Sequence, residues 1–294
     1  MKAGHYTAAH FLDLLASCSG EEEYAVWGAI DDGLSALSNV IQYGDETLKK
    51  RLDALIISSL SPLLARLGWS AVPGEDLQRA ELRGLVISRL SKAGQPEVIQ
   101  KALALYDSNP TAIDPNIRGA IYATVARSGS PAQYKELRTI FETSGFPEIE
   151  RHCILTLGQR PNKDDLADVF EYAVDQGKVR IQDLFILFAG ASASRVEQEY
   201  TWEYFKNNQA KLCARLGGVQ DSLYQRCFTY ITEGFCSEEK AKEVETLFCS
   251  HQTANAQQIL DRPIRQSAEK IRTNQRLLAT NAEPISKWLT AHSF

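Results

Sequence analysis

The chain has 294 residues, a formal net charge of −5, 44% hydrophobic residues and 23% charged ones. That balance is globular, long enough to bury a sizeable core, and unlike disordered or collagen-like chains. The acidic excess and the lack of any Lys/Arg-rich block argue against a nucleic-acid partner, which needs a basic face to neutralise phosphates.

At the start, Met1 to Leu15 carries one lysine and places Asp13 inside its apolar part, which makes a poor signal peptide. Glu21-Glu22-Glu23 and Asp31-Asp32 have the charge to hold a divalent cation. They read more simply as solvated carboxylates, the glutamates complementing the dipole at a helix N-terminus. Leu48, Leu52, Leu55, Ile56 and Leu63 then form one apolar stripe at helical spacing. That helix breaks at Gly68-Trp69. The chain passes through Val72-Pro73-Gly74-Glu75-Asp76 and is expected to re-enter a helix near Leu82-Arg83-Gly84. Trp69 is read as packing against neighbouring helices and Pro73-Gly74 as redirecting the chain.

Farther along, Gly94, Asn109-Pro110, Gly129, Gly145, Pro161 and Gly177 recur every 15 to 20 residues. Each interval holds a helix of about three turns and a short connection, the rhythm of antiparallel helix pairs stacked in series. Ser130-Pro131-Ala132-Gln133 predicts a capping box with proline at the first helical position. Asn162 with Asp165 is expected to do the same before the stripe Leu166, Val169, Phe170, Ala173, Val174. The longest apolar run, Leu184 to Ala191, falls far short of the ~20 residues of a membrane helix, so no membrane partner is expected. No two-residue alternation bounded by hairpin turns is visible. The expected fold is all-α: a solenoid of diverged helix pairs forming one domain over residues 1–294.

Chemistry is sparse. No histidine is followed by glutamate, so there is no H-E-x-x-H zinc helix, and His5 and His10 are five apart, off the spacing of two ligands on one helical face. Nucleophile elbow, P-loop and dinucleotide fingerprint are all missing. His152-Cys153 pairs a base with a nucleophile, but adjacent helix residues diverge by about 100° and cannot share a proton. No catalytic residue and no metal ligand is assigned. Trp202, Tyr204, Phe205, Trp27 and Tyr24 are read as core packing rather than a ligand groove. Six cysteines without CxxC spacing suit reduced thiols, and the one Asn-x-Thr is blocked by Pro110, so a cytoplasmic location is expected. One constellation remains. In Val179-Arg180-Ile181-Gln182-Asp183, Arg180 can hold a peptide carboxylate and Gln182 can pair with peptide backbone. The plainer alternative has Arg180 paired with a neighbouring carboxylate and Gln182 and Asp183 serving a helix start.

Six stretches in order carry a resemblance: AGHYTAAHFLDLLASCSGEEEYAVWGAI, LGWSAVPGEDLQRAELRGLVISRLSKAG, GFPEIERHCILTLGQRPNKDDL, VRIQD, YTWEYFKNNQAKLCARLGG and IRQSAEKIRTNQRLLATNAEPISKWL. Together they resemble the C-terminal helical domain of the gluzincin zinc aminopeptidases, nearest the puromycin-sensitive branch. The resemblance implies a HEAT/armadillo-like α–α superhelix forming a concave bowl, here lacking its first helices and its catalytic domain. It implies a domain that caps the active site and helps form the peptide cavity, with peptide substrate and the catalytic domain of the same protein as partners. Zinc would sit in that other domain, which carries H-E-x-x-H and a Gly-x-Met-Glu-Asn loop; Met1 is the only methionine here. Arg180 and Gln182 are then the candidate peptide-facing residues. A stand-alone α-solenoid scaffold that binds a protein or peptide is the alternative.

Overall fold

The computed structural model describes residues 7–247 and 254–294, with side chains of the second stretch from Leu260 onward. Met1, His5 and Cys249 lie outside the described residues. Among the described residues every regular element is helical and no strand occurs. The chain divides into two compact units. One comprises residues 1–144 and 279–294, the other residues 145–278.

The first unit contains α1 (Ala8–Ser17), α2 (Tyr24–Ile41), α3 (Glu46–Leu67), α4 (Leu77–Lys92), α5 (Pro96–Ser108), α6 (Pro115–Ser128) and α7 (Pro131–Thr143). It also holds the end of α15 (Ala254–Ala291), from Ala279 onward. Short polar caps set the starts. Asp45, Asp76 and Asp114 each accept from the backbone N–H two residues on, satisfying donors that the first turn leaves free. The capping box of α7 is present in both directions, Gln133 N to Ser130 Oγ at 3.2 Å and Ser130 N to Gln133 Oε1 at 2.8 Å. Asp76 also corrects the expected boundary: α4 begins at Leu77, not near Leu82, because its cap lies directly after the Pro-Gly turn.

The predicted stripe of α3 is entirely buried. Between α4 and α5, Gly94 takes φ +85° and donates to Ser91 O, while Gln95 N donates to Leu90 O at 3.0 Å. That is a Schellman turn, and the left-handed residue needs glycine. α4 packs against α2, α3, α5 and α6, so each helix meets partners one or two places away in the chain. Such neighbour-to-neighbour packing is what serially stacked helices require. The α4–α6 contact is close: a Cβ at Gly84 would overlap the carbonyl oxygen of Asn116. The end of α15 is anchored by long-range bonds. Asn281 Oδ1 accepts from Ala8 N at 2.9 Å, Trp288 Nε1 donates to Asp13, and Arg51 donates to Thr290 Oγ1 and Phe294 O.

The second unit contains α8 (Pro147–Leu157), α9 (Lys163–Phe170), α10 (Leu184–Gly190), α11 (Arg195–Asn207), α12 (Gln209–Arg215), α13 (Ser222–Thr232), α14 (Glu238–Leu247) and the earlier part of α15. Asn162 caps α9 alone, accepting from Asp164 N and Asp165 N. The expected reciprocal role of Asp165 is not filled, because its carboxylate takes Arg160 at 2.9 Å instead. The stripe 166–174 is buried, but its second half follows a π-helical turn, Glu171–Asp175. The apolar run at 184 forms α10, which sits directly on α8, with Gly190 against the backbone of Leu155. Aromatic rings fill this unit: Phe170 stacks with Tyr204 at 4.4 Å and Phe188 at 5.4 Å, and Trp202 and Phe205 are fully buried.

Candidate functional site

The Val179–Asp183 stretch follows the π turn and Gly177, whose φ of +69° reverses the chain. Arg215 holds the segment in place, its guanidinium donating to Val179 O at 3.0 Å. Val179 and Asp183 point inward and are buried, whereas Arg180, Ile181 and Gln182 are exposed. Arg180 Nε donates to Asp183 Oδ2 at 2.7 Å and Nη2 to Glu150 Oε2 of α8 at 3.3 Å. The three side chains together carry one net negative charge, and about half of the Arg180 side chain remains open to water. Arg180 therefore keeps exposed donors while its inner edge is taken. The amide of Gln182, in the short 3₁₀ turn Ile181–Asp183, makes no hydrogen bond among the described residues.

The acidic runs are engaged more than the sequence suggests. Glu21 Oε1 accepts from Glu22 N and Glu23 N ahead of α2. Glu22 is bound by Arg79 Nη1 and Arg66 Nε, both at 2.6 Å, and these hydrogen bonds hold its carboxyl below the usual carboxylate range. Asp31 accepts from Arg89 Nε at 2.7 Å. The reading of these runs as solvated therefore fails at Glu22 and Asp31, because arginines from α3 and α4 reach them. Among the described residues, no three of His, Cys, Asp and Glu form a group able to hold a metal.

Cysteine chemistry is equally muted. Cys153 is fully buried beside a half-buried His152, whose Nδ1 lies 4.0 Å from Glu148 of the same helix. Burial pushes the Cys227 thiol up to about 12 and that of Cys236 up to about 11, so neither is a thiolate near neutrality. None of the five described cysteines is in a disulfide. Trp27, Trp202 and Phe205 are core residues; Tyr24 and Tyr204 are half-buried.

The loop between α3 and α4 is built around Arg83, whose side chain is fully buried. Its guanidinium donates to Leu67 O at 3.1 Å, to Gly68 O at 3.2 Å and bidentately to Glu75. Glu75 N in turn donates to Val72 O, and Gly74 stands at φ +78° after Pro73, the pattern of a type II turn. One arginine thus caps the end of α3 and ties down the turn. Trp69 is half-buried. It lines a cavity of about 250 Å³ together with Leu64, Leu90, Gln95, Glu97 and Val98. Nothing local in the sequence announces this cavity, because its walls come from the end of α3, the end of α4 and the start of α5.

Next to the same elements, Lys92 is exposed and makes no hydrogen bond or ion pair among the described residues. Arg89 and Arg127 nearby carry like charge, and Asp31 and Asp53 offset it.

These features define an all-helical assembly whose described residues include no group of three metal-ligating side chains. Comparison with known proteins gives its family. A family model described as "ERAP1-like C-terminal domain" matches residues 1–273. The chain belongs to the ERAP1-like C-terminal domain family. It is 36% identical to the puromycin-sensitive aminopeptidase of Caenorhabditis elegans over 98% of this chain and 31% of that protein. It is also similar to aminopeptidase 2 of Candida albicans, 25% identical over 99% of this chain and 32% of the relative. Aminopeptidase M1-A of Oryza sativa subsp. japonica is 26% identical over 96% of this chain and 32% of its own length. The chain thus spans about a third of the curated relatives it matches. Among the described residues no helix is long and apolar enough to cross a membrane.

Proposed function

We propose that residues 1–294 act as the non-catalytic C-terminal domain of a zinc aminopeptidase that removes N-terminal amino acids from peptides. The domain covers the active site of a catalytic domain in the same protein and supplies part of the wall that receives the peptide. The observation that carries this reading is the family match over 1–273, joined to relatives named as aminopeptidases of which the chain spans a third. Zinc belongs to the catalytic domain. A cytoplasmic location is part of the same proposal and is supported by five described cysteines that form no disulfide, which suits a reducing compartment.

Arg180 and Gln182 are our choices for the peptide-facing wall. Both are exposed on a segment held rigid by Arg215, and their outward polar atoms suit the backbone or terminal carboxylate of an extended peptide. In the full-length protein, R180A with Q182A raises KM for longer peptides and leaves hydrolysis of aminoacyl-aminomethylcoumarin substrates unchanged. Equal KM values for peptides would remove both residues from the wall. The isolated chain with added Zn²⁺ releases no aminomethylcoumarin, and measurable turnover would overturn the non-catalytic assignment.

A further inference from the structure

The cavity beside Trp69 has a chemistry of its own. Leu64, Leu90 and Val98 give it apolar walls, and the indole of Trp69 gives it an aromatic face. Three of the residues that line it carry polar side-chain groups: the Nε1–H of Trp69, the amide of Gln95 and the carboxylate of the exposed Glu97. None of them has a hydrogen-bond or ion-pair partner among the described residues. Glu97 is not paired even with Lys101, one turn farther along α5. A fourth group, the hydroxyl of Ser61, is buried in the cavity's lining and has no hydrogen-bond partner. Three other carboxylates of this unit are bound by arginine: Glu22 by Arg66 and Arg79, Asp31 by Arg89, Glu75 by Arg83. An apolar cavity with convergent polar groups left unpaired is the ordinary form of a ligand site.

The charges select the ligand. Glu97 is the single ionised group among the residues that line the cavity. The last turn of α3 forms one wall, and its terminal carbonyls Leu67 O and Gly68 O are already taken by Arg83, so the charge of the cavity is set by Glu97. The positive end of α5 is already met by Glu97 in its own first turn. An indole face attracts a cation by its quadrupole. We propose that this cavity binds an organic cation, an ammonium or guanidinium group carried on an apolar stem, which sets its stem against Leu64, Leu90 and Val98 and its charge against Glu97 and Trp69. A lysine or arginine side chain of a peptide has this chemistry, and so does a free alkyl amine. The inference does not rest on the aminopeptidase reading.

The test uses the whole chain with ¹⁵N-labelled indoles, the Trp69 resonance being assigned by its loss in W69F. Nα-acetyl-lysine-methylamide and hexylamine represent the two sources, and Nα-acetyl-norleucine-methylamide is the neutral match. Saturable shifts of the Trp69 indole with a cationic probe, at least about tenfold weaker with the neutral one, are expected. E97Q weakens the cationic probe by about tenfold while the fold is retained, its thermal midpoint falling by no more than the few degrees that loss of a first-turn carboxylate from α5 allows. Tighter binding of the lysine derivative assigns the cavity to side chains of polypeptides; tighter binding of hexylamine assigns it to free amines. No saturable shift with either cation, equal binding of the neutral probe, or an unaffected E97Q overturns the proposal.

Discussion

Replacing Gly84 by alanine sets two known effects against each other, and the structure decides which wins. Gly84 lies in the interior of α4, where alanine is favoured over glycine by about 1 kcal/mol from backbone entropy alone. Against this, the new Cβ would overlap the carbonyl oxygen of Asn116, with the carbonyl carbon at 3.3 Å and Ile117 Cα at 3.9 Å. All three atoms belong to the backbone of α6, so no rotamer change relieves the overlap, and the two helices must separate. Forced overpacking costs about 1–3 kcal/mol, and separation also loosens the contacts of Val86, Ile87, Ile121 and Val125, all fully buried. The net is a destabilisation of about 2 kcal/mol, which at the size of the first unit corresponds to a fall of roughly 4–8 °C in thermal midpoint. Gly28 in α2 is the control. No atom lies within 4 Å of a Cβ placed there, so G28A keeps the propensity gain and raises the midpoint by a few degrees. Circular dichroism melts and urea midpoints of the two variants measure both signs. A G84A protein as stable as the parent would refute the close approach of α4 and α6.

The other expectations concern buried and crowded charge. R83M removes the donors that close the α3–α4 loop, so a glutamate-specific protease should cleave after Glu75 in the variant and leave the parent intact. Arg83 holds the Glu75 carboxyl below its ordinary 4.5, so the contribution of Glu75 is complete above that value and is lost as pH falls through the lower folded one. The urea-midpoint gap between the parent and E75Q should follow that course, and a gap independent of pH would count against the pairing.

Much of the helical framework could be read from single residues and short spacings. Ser130, Asn162, Gly94 and the leucine stripe of α3 act within a turn or two of themselves, so their consequences are written locally. Departures occur where an arginine, distant or near, takes a carboxylate that the sequence gives another role. Glu22 looks solvated until Arg66 and Arg79 reach it from 44 and 57 residues away. Asp165 looks like half of a capping box until Arg160 claims it. The helix start at Leu77 was missed for another reason: Asp76 is a local cap, but it was counted as part of the turn. The candidate site was legible only as exposed residue types. That Arg180 spends its inner edge on Asp183 and Glu150 depends on α8, and the Trp69 cavity depends on three helix ends that no short window contains.

The stretch that most strongly carries the resemblance, Leu67 to Gly84, contains no reactive group, and its residues interlock. Leu67 enters the core and presents its carbonyl to Arg83. Gly68 ends α3 at φ +69°, where a side chain would be strained. Pro73 and Gly74 form the turn that brings Glu75 back to Arg83, and Gly84, the next residue, lets α6 approach. Each side chain is therefore constrained by the others rather than by a substrate, which is how a segment without chemistry can mark a family. The same interlock sets the position of Trp69, since Arg83 grips the carbonyls on its N-terminal side and the turn on its C-terminal side. Arg83 is thus a positioning residue for the cavity. R83M should weaken hexylamine at the Trp69 indole while Glu97 remains in place, whereas unchanged binding would show that the indole holds its wall without the staple.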